Sequence, residues 1–343
     1  FHGGLGRVPH DIVTPRDTVL WYLAHGFRIV IWPAEGDAKG PREPGWPSKI
    51  YTIDDYHDGD RVGLMTGVEV APGKVLHEYD IDWAPGLKLA VPFLPSTEFV
   101  FGRPSKIISH CFVTLPEGVP SFRYEDIDKT CLLEFRGTKS DGTIGFQTMV
   151  PPSIWSKEGK TEPLAFIKQG TPAHIELIAL CMQRGALAAI SMILGRHLGT
   201  NGFGHDVRLA WAGFLLRAGI KIEDLVLMGN ALSQHCNNTE VTDVRRVLES
   251  TANALEKDGK KVKGGPAFAK LIGAQGKAVI ARINEWLGRD ADFVRDSHNV
   301  IVKDHQGNIR RAVGLLGHEL SYNEFSDKIL LDRKLPLEDS ILI

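Results

Sequence analysis

Cysteine is scarce in this sequence and is never closely spaced. The chain has 343 residues and four cysteines, at positions 111, 131, 181 and 236, with no Cys-x-x-Cys pair. Zinc knuckles and disulfide-stapled secreted folds depend on closely spaced cysteines, so this distribution argues against both. A reducing cytoplasm is the expected setting.

An excess of charge of one sign is also lacking. The chain has 40 Lys and Arg residues against 42 Asp and Glu residues, for a formal net charge of -2 at pH 7. Any binding of nucleic acid must therefore come from a local basic patch and not from a basic chain as a whole. The charge balance alone neither predicts nor excludes a nucleic-acid partner.

Membrane-targeting features are missing as well. We identify no apolar run that approaches the roughly 18 residues a membrane span requires. The first residues show no basic stretch followed by an apolar one, which a signal peptide would have. We therefore expect no membrane partner.

The sequence has two regions of different composition, and its length suits two domains and a small appendage. Residues 1–170 mix short β-rich stretches with Pro- and Gly-rich turns, and we expect an α+β domain around an antiparallel sheet, with one helix before it and another after Asp82. Residues 171–290 are predicted to form an all-α helix bundle. Residues 291–343 have no clear core and are expected to be a linker or the start of a following region. The predicted strands are 27–32, 62–65, 75–82, 98–101, 107–115, 132–136 and 145–150, and the predicted helices are 18–25, 172–198, 205–218, 223–234, 240–257, 266–272 and 277–287.

Acidic residues on two of these predicted strands suggest metal chemistry. Strand side chains alternate between faces, so Asp80 and Asp82 project together while Ile81 faces away. Glu134, on a neighbouring strand, would complete an oxygen-rich cage for one or two Mg²⁺ or Mn²⁺ ions, which phosphoryl and nucleotidyl transfer require. An Asp-x-Asp also occurs in sugar-nucleotide transferases, in phosphatases and on solvated edge strands. Its apolar flanks favour the metal interpretation, because buried carboxylates need a compensating partner.

Basic and hydroxyl side chains close to these acidic residues suggest a phosphate ligand. Arg103, Ser105, Lys106, Ser109 and His110 lie within one short stretch, and this mixture of donors suits the polyphosphate of a nucleoside triphosphate better than a metal. The alternative for the histidine is a hydrogen-bonded core residue.

Arg136 shares a strand face with Glu134 and could bind phosphate beside the metal. The alternative is a structural Glu–Arg ion pair. The residues alone leave both interpretations open.

The motifs resemble, in order, those of the bifunctional DNA primase–polymerases of phages, plasmids and mobile elements, within the archaeo-eukaryotic primase superfamily. The resemblance covers most of residues 15–160. Its carriers are His-Gly-Phe at 25–27, Lys-Gly-Pro at 39–41 with Gly-Trp at 45–46, Arg-Val-Gly-Leu-Met-Thr-Gly at 61–67, Glu-Tyr-Asp-Ile-Asp at 78–82, Phe-Gly-Arg-Pro-Ser-Lys at 101–106 with Ser-His at 109–110, Leu-Glu-Phe-Arg-Gly at 133–137, and Phe-Gln-Thr-Met-Val-Pro-Pro-Ser at 146–153.

This resemblance implies a role for each matching residue. Asp80, Asp82 and Glu134 would hold two divalent ions, Mg²⁺ or Mn²⁺, and His110 with Ser109 would bind the incoming triphosphate. The implied further nucleotide contacts are Arg103, Ser105, Lys106 and Arg136. The implied fold is a catalytic core whose antiparallel sheet is like that of an RNA-recognition motif. Trp155 stands where many relatives have histidine, and we assign it no role.

The implied activity is template-directed synthesis and extension of primers, in the cytoplasm of a bacterial or phage-infected cell. Its partners would be a single-stranded DNA template with its primer, and dNTPs or NTPs. Residues 204–213 resemble, more weakly, the helix bundle that engages the template in these proteins. Residues 313–325 are similar to segments that lead into a helicase, so a downstream helicase domain or subunit is a possible partner. The sequence has no Gly-x4-Gly-Lys-Ser/Thr motif, and we expect the chain to stop before any ATPase.

Two other functions fit parts of this pattern. A metal-dependent nuclease would use the same carboxylates but would not need the triphosphate-binding cluster. A non-catalytic replication-initiation module would bind DNA through the helical half and keep its acidic residues for structure.

Overall fold

The computed structural model describes residues 14–199, 202–237, 243–258 and 261–289, together with three short strands between residues 320 and 336. Contacts between residues divide the chain into two units, Phe1–Val279 and Ile280–Ile343. The predicted domain boundaries after residues 170 and 290 stay predictions.

The architecture is α+β, as the sequence predicts, with antiparallel sheets and helices. The helices are α1 (Pro15–Ala24), α2 (Leu87–Ala90), α3 (Ile178–Leu198), α4 (His205–Arg217), α5 (Ile222–His235), α6 (Val244–Asp258), α7 (Gly265–Ile272) and α8 (Gly276–Trp286). The strands are β1 (Ile29–Trp32), β2 (Arg61–Met65), β3 (Glu69–Ala71), β4 (Lys74–Ile81), β5 (Val100–Arg103), β6 (Lys106–Leu115), β7 (Phe122–Glu125), β8 (Cys131–Arg136), β9 (Gln147–Val150), β10 (Ile154–Lys157), β11 (Lys160–Pro163), β12 (Ala165–Lys168), β13 (Ala173–His174), β14 (Leu320–Asn323), β15 (Lys328–Leu331) and β16 (Leu335–Pro336).

An eight-stranded sheet forms the centre of the first unit. Its main path runs β12-β5-β6-β4-β8-β7, while β3 pairs with β4, and β13 pairs with β6. All these pairs are antiparallel except that of β13 with β6. The long strand β4 lies between β6 and β8, so its side chains are flanked on both sides.

One face of the central sheet packs against the first helix and a smaller sheet. The smaller sheet has the order β1-β2-β9 and is antiparallel throughout. Its buried residues form one apolar cluster with α1 and with Phe99, Phe101 and Phe112 of the central-sheet region. The hydroxyl of Tyr22 donates to the carbonyl of Pro151 at 2.6 Å, which ties α1 to the end of β9.

The opposite face of the central sheet packs against α3. The buried hydroxyl of Tyr79 donates to the carbonyl of Cys181 at 2.7 Å, and Tyr124 donates to that of Met182 at 3.3 Å. Alternation along β4 therefore directs Tyr79 and Ile81 to the helices and Asp80 to the other face.

Helix α3 corrects two expectations. It begins at Ile178 and not near Pro172, because Ala173 and His174 pair with β6 instead. The expectation of no span-length apolar run is wrong for Ile178–Leu198, which is long and apolar enough to cross a membrane by length and composition. Of its apolar window, 67% is buried inside the protein, as in a core helix.

Helices α4 to α7 lie close to the predicted bounds. Trp211 and Phe214 of α4 are buried, which agrees with a core role for both. Gly219 follows the end of α4 with φ +81°, the left-handed conformation that glycine adopts at helix C-termini. The predicted helix after Asp82 is the single turn α2, flanked by two short 3₁₀ turns.

Several strands were not predicted from the sequence, among them the hairpin of β10 and β11. The one Gly-Lys-Thr triplet of the chain, 159–161, runs from the hairpin turn into β11 and does not precede a helix. Within the second unit, β14, β15 and β16 form an antiparallel sheet. Apart from these strands, the predicted linker 291–343 and the helicase-like segment 313–325 lie outside the described residues.

Candidate metal centre and phosphate-binding cleft

Two strands bring the three predicted metal ligands together. Asp80 on β4 is the direct cross-strand partner of Glu134 on β8, and Asp82 follows the end of β4 on the same face. One carboxylate oxygen from each residue lies within 4.8 Å of the others. Asp80 and Glu134 are buried, whereas the Asp82 side chain is 38% exposed and so open to a ligand from solvent.

The two aspartates have different electrostatic environments. Burial alone would raise the pKa of Asp80, but the charges of His110 and Arg136 outweigh it and hold that pKa below its ordinary value. Burial, followed by the negative charge of Asp80, raises the pKa of Asp82. A bound cation would relieve this repulsion.

The donor set fits a divalent cation. Oδ1 of Asp80 is buried and accepts no hydrogen bond from any residue that the structure describes. A buried carboxylate oxygen without a hydrogen bond is costly, so its position beside Asp82 and Glu134 suits contact with a cation. An all-oxygen set of three carboxylates is of the kind that Mg²⁺ and Mn²⁺ prefer.

Arg136 partly compensates these carboxylates. Its Nη2 lies 2.8 Å from Oδ2 of Asp80, and its Nε donates to Oε2 of Glu134 at 2.9 Å. The Glu–Arg pair that the sequence left as an alternative is therefore present. The pKa of Arg136 is raised: burial opposes the charged form, but the carboxylates of Asp80, Glu78 and Glu134 outweigh it.

A cleft of about 410 Å³ opens over the carboxylates. It lies between the central sheet and the β9 side of the smaller sheet, and its lining combines carboxylates with several cations. The predicted residues that line it are Asp80, Asp82, Arg103, Lys106, His110, Glu134 and Arg136. The lining residues that sequence reasoning did not assign are Lys39, Arg123, Phe146, Gln147, Thr148, Met149, Trp155, Lys157 and Leu164.

His110 is fixed at the edge of the cleft. It pairs with Asp80 across β6 and β4, and its ring stacks on Phe101 with centroids 4.5 Å apart and planes 11° apart. Its Nδ1 lies 2.6 Å from Oε1 of Glu78 and 3.5 Å from Oδ1 of Asp80. The histidine is thus hydrogen-bonded and also lines the cleft.

The remaining predicted phosphate ligands separate into two groups. Lys106 directs its Nζ to within 3.8 Å of Oδ1 of Asp82 and lines the cleft together with Arg103. Ser109 is fully buried and donates to the carbonyl of Lys106 at 3.0 Å. Neither Ser109 nor Ser105 is among the cleft-lining residues.

Trp155 supports Arg103. The guanidinium of Arg103 lies over the indole at 3.7 Å from its centroid, and its Nη1 donates to Oε1 of Glu162 at 3.0 Å. The carboxylate of Glu162 also accepts a hydrogen bond from the backbone N–H of Ser105. The hairpin of β10 and β11 is thus joined to the turn between β5 and β6, and together they form one wall of the cleft.

Buried Arg61 attaches the loop that carries Lys39. It donates to the carbonyls of Gly36 and Ala38, each at 2.8 Å, and to that of Ile154 at 3.1 Å. These bonds hold the loop and the start of β10 against β2. The sequence carries a signal for Arg61, because this residue is the one charged side chain in the otherwise apolar strand 61–65.

The sequence held a signal for some of the unassigned residues and none for others. Glu78 lies two residues before Asp80, so strand alternation alone places it on the same face. Arg123 donates to Oε1 of Glu134 at 3.0 Å, but β7 was not predicted. Thr148 reaches the site only through the pairing of β9 with β2, which the sequence does not reveal.

No protein-family model matches the chain, and no curated protein matches it either. Function is therefore inferred from the residues of the cleft and from the order of the sequence motifs.

Proposed function

We propose that this protein is a template-directed DNA primase–polymerase, which synthesises primers and extends them by two-metal nucleotidyl transfer. The observation that carries the proposal is the triad of Asp80, Asp82 and Glu134 at the floor of a cleft whose walls are cationic. Carboxylates alone would suit many metal enzymes. Cationic side chains that line the same cleft favour a polyphosphate substrate.

The reaction transfers a nucleotide between two oxygens. A 3′-hydroxyl oxygen attacks the α-phosphorus of a nucleoside triphosphate, the new P–O bond forms as the bond to pyrophosphate breaks, and the hydroxyl proton passes to solvent. Two divalent ions held by Asp80, Asp82 and Glu134 would supply activation of the hydroxyl and neutralisation of charge on the phosphates.

The cations of the chain would bind and orient the triphosphate. Lys106 stands beside Asp82, and the exposed Arg123 stands beside Glu134, so a phosphate chain bound over the carboxylates meets positive charge on both sides. Arg103, held flat on Trp155, extends this positive surface along the wall. His110 would donate to a phosphate oxygen from the edge of the cleft.

The rest of the chain fits the same proposal. The central sheet would be the sheet of a primase–polymerase catalytic core, like that of an RNA-recognition motif. The helix-bundle domain, residues 171–290, would engage single-stranded template and primer, and a helicase domain or subunit would act downstream. Mg²⁺ or Mn²⁺ and dNTPs or NTPs would be the small-molecule ligands, in the cytoplasm of a bacterial or phage-infected cell.

Primer extension and priming test the proposal separately. Full-length protein is incubated with Mg²⁺ or Mn²⁺, first with a labelled primer on a template and dNTPs, then with unprimed single-stranded DNA, labelled ATP and dNTPs. Extended and new primers are expected, and Asp80→Ala/Asp82→Ala should make neither. The matched control is Asp54→Ala/Asp58→Ala, which removes two aspartates that lie outside the cleft.

The same reactions separate the rival functions. Shortening of the primer without nucleotides, and no extension with them, would identify a metal-dependent nuclease. DNA binding without any metal-dependent product would identify a non-catalytic module. Either result would contradict the proposal.

A further inference from the structure

Glu78 is a buried carboxylate behind the cleft. It lies two residues before Asp80 on β4 and is fully inaccessible to solvent. It does not line the cleft. A carboxylate in such a place is costly unless its oxygens are paired, and so its partners indicate what it does.

Both oxygens of Glu78 are engaged by side chains that do reach the cleft. Oε1 lies 2.6 Å from Nδ1 of His110. Oε2 accepts a short hydrogen bond from Oγ1 of Thr148. Glu78 therefore connects β6, which carries the histidine, with β9 of the smaller sheet.

The hydrogen bonds around Glu78 have one consistent direction. Nη1 of Arg136 donates to Oγ1 of Thr148 at 3.0 Å, so the hydroxyl proton of Thr148 is the one that bonds Glu78. As a carboxylate, Glu78 accepts at both oxygens, and Nδ1 of His110 then donates to Oε1.

The other ring nitrogen of His110, Nε2, is left for a ligand. It forms no hydrogen bond with any residue in the described ranges, and His110 lines the cleft. Stacking on Phe101 fixes the plane of the ring, and Glu78 fixes its rotation within that plane. A ring held in this way presents Nε2 for a hydrogen bond with a ligand in the cleft.

We propose that Glu78 is a positioning residue, which holds His110 with Nε2 directed at a phosphate oxygen of the bound nucleoside triphosphate. The inference rests on the proposed function, because it takes the ligand of His110 to be a triphosphate. It gives the buried carboxylate a role in nucleotide affinity. A merely structural Glu78 would affect folding and leave nucleotide affinity unchanged.

A double-mutant cycle on nucleotide binding tests this role. The full chain and its variants Glu78→Ala, Glu78→Gln, His110→Ala and Glu78→Ala/His110→Ala are titrated with dATP in the presence of Mg²⁺, and the dissociation constant is measured. Glu78→Ala should weaken binding by roughly 10–100-fold, the range found when residues that orient metal-bound histidines are lost. Glu78→Gln keeps an acceptor for Nδ1 and should recover most of the affinity.

The double variant gives the decisive comparison. If Glu78 acts through His110, the double variant binds dATP no more weakly than His110→Ala alone. If the losses multiply, or if Glu78→Ala binds dATP as the wild type does, the inference is wrong. Asp224→Asn is the stability control, because Asp224 is a buried carboxylate paired with Arg184 at 2.7 Å outside the cleft. It should lower the melting temperature without changing dATP affinity.

Binding is measured apart from polymerisation so that the two claims can fail separately. A protein that binds dATP with a non-additive cycle but extends no primer supports the role of Glu78 and contradicts the proposed function. A protein that extends primers with an additive cycle retains the function and loses the inference. Absence of dATP binding by the wild type contradicts both.

Discussion

Arg136 and Asp80 form an ion pair at the floor of the cleft, with Nη2 2.8 Å from Oδ2. The same guanidinium pairs with Glu134 at 2.8 Å and lies 3.7 Å from Oε2 of Glu78. One cation thus serves three carboxylates on two neighbouring strands. The positive charge that a metal would bring is only partly supplied by this residue, since Oδ1 of Asp80 stays without a donor among the described residues.

Arg136→Met should make the fold depend on metal. Loss of the guanidinium leaves buried carboxylates with less compensation, and we expect a loss of about 3–5 kcal/mol in the free energy of unfolding when a chelator is present. Mn²⁺ should restore part of it, so that the rise in melting temperature on adding Mn²⁺ exceeds that of the wild type. Thermal unfolding with Mn²⁺ and with chelator measures both.

Arg184→Met is the matched control for that experiment. It removes the guanidinium that pairs with the buried Asp224, so it should also lose stability. Mn²⁺ should restore none of it. An equal Mn²⁺ response in the two variants would contradict a metal site at Asp80.

Asp82→Asn should stabilise the metal-free protein and remove its response to metal. Asp82 faces Asp80, Lys106 and Cys131, and burial together with Asp80 raises its pKa. A group with a raised pKa in the folded state loses its stabilising contribution as the pH rises through that pKa. The free energy of unfolding of the variant should therefore exceed that of the wild type by an amount that grows with pH. The difference should reach up to about 1 kcal/mol, because the Asp82 side chain is partly exposed.

Chemical unfolding across the acid-to-neutral range in chelator measures this difference. The gain should vanish at low pH, where Asp82 is protonated in the wild type. A constant difference at every pH would show that Asp82 does not repel Asp80.

Trp155→Leu should weaken nucleotide binding through Arg103. The guanidinium keeps its bonds to Glu162 and Ser105 but loses the aromatic face beneath it. One such contact corresponds to roughly a threefold to tenfold rise in the KM for the nucleotide. Trp155→Phe keeps an aromatic face, so its KM for the nucleotide should rise less. Equal KM values for Trp155→Leu and the wild type would remove Trp155 from the site.

How far the sequence predicts this site depends on the kind of contact. Strand alternation is local, and it correctly places Asp80 and Asp82 on one face. Their approach to Glu134 depends on the pairing of β4 with β8, which needs the folded sheet; only the order of the motifs suggested it. Thr148 and Trp155 reach the cleft from strands β9 and β10, and no local sequence pattern indicates how these strands pair.

The helix boundary at α3 illustrates the same limit. Thr171 and Pro172 carry the local signals of a helix start, yet the chain extends along β6 through His174 and begins the helix at Ile178. Tertiary pairing outweighs a local propensity there. Elements with strong periodicity, such as α4 and α5, needed no such information and lie close to their predicted bounds.

Arg196→Ala should destabilise the fold without touching the cleft. Arg196 at the end of α3 pairs with the fully buried Asp126 at 2.5 Å and with Asp128 at 2.7 Å. Its loss leaves Asp126 with His197 as its remaining ion-pair partner in the described residues, and we expect a cost of about 3 kcal/mol in urea unfolding. Arg245→Ala, which removes an exposed pair with Glu249, should cost under about 0.5 kcal/mol.

Primer extension is the direct test of metal-dependent polymerisation by this protein. Full-length protein with Mg²⁺ or Mn²⁺, dNTPs and a labelled primer on single-stranded template should extend the primer in a template-dependent order, and Asp80→Ala/Asp82→Ala should not. No extension by the wild type with either ion, or extension by the double variant at the wild-type rate, would contradict a polymerase whose metals are held by Asp80, Asp82 and Glu134.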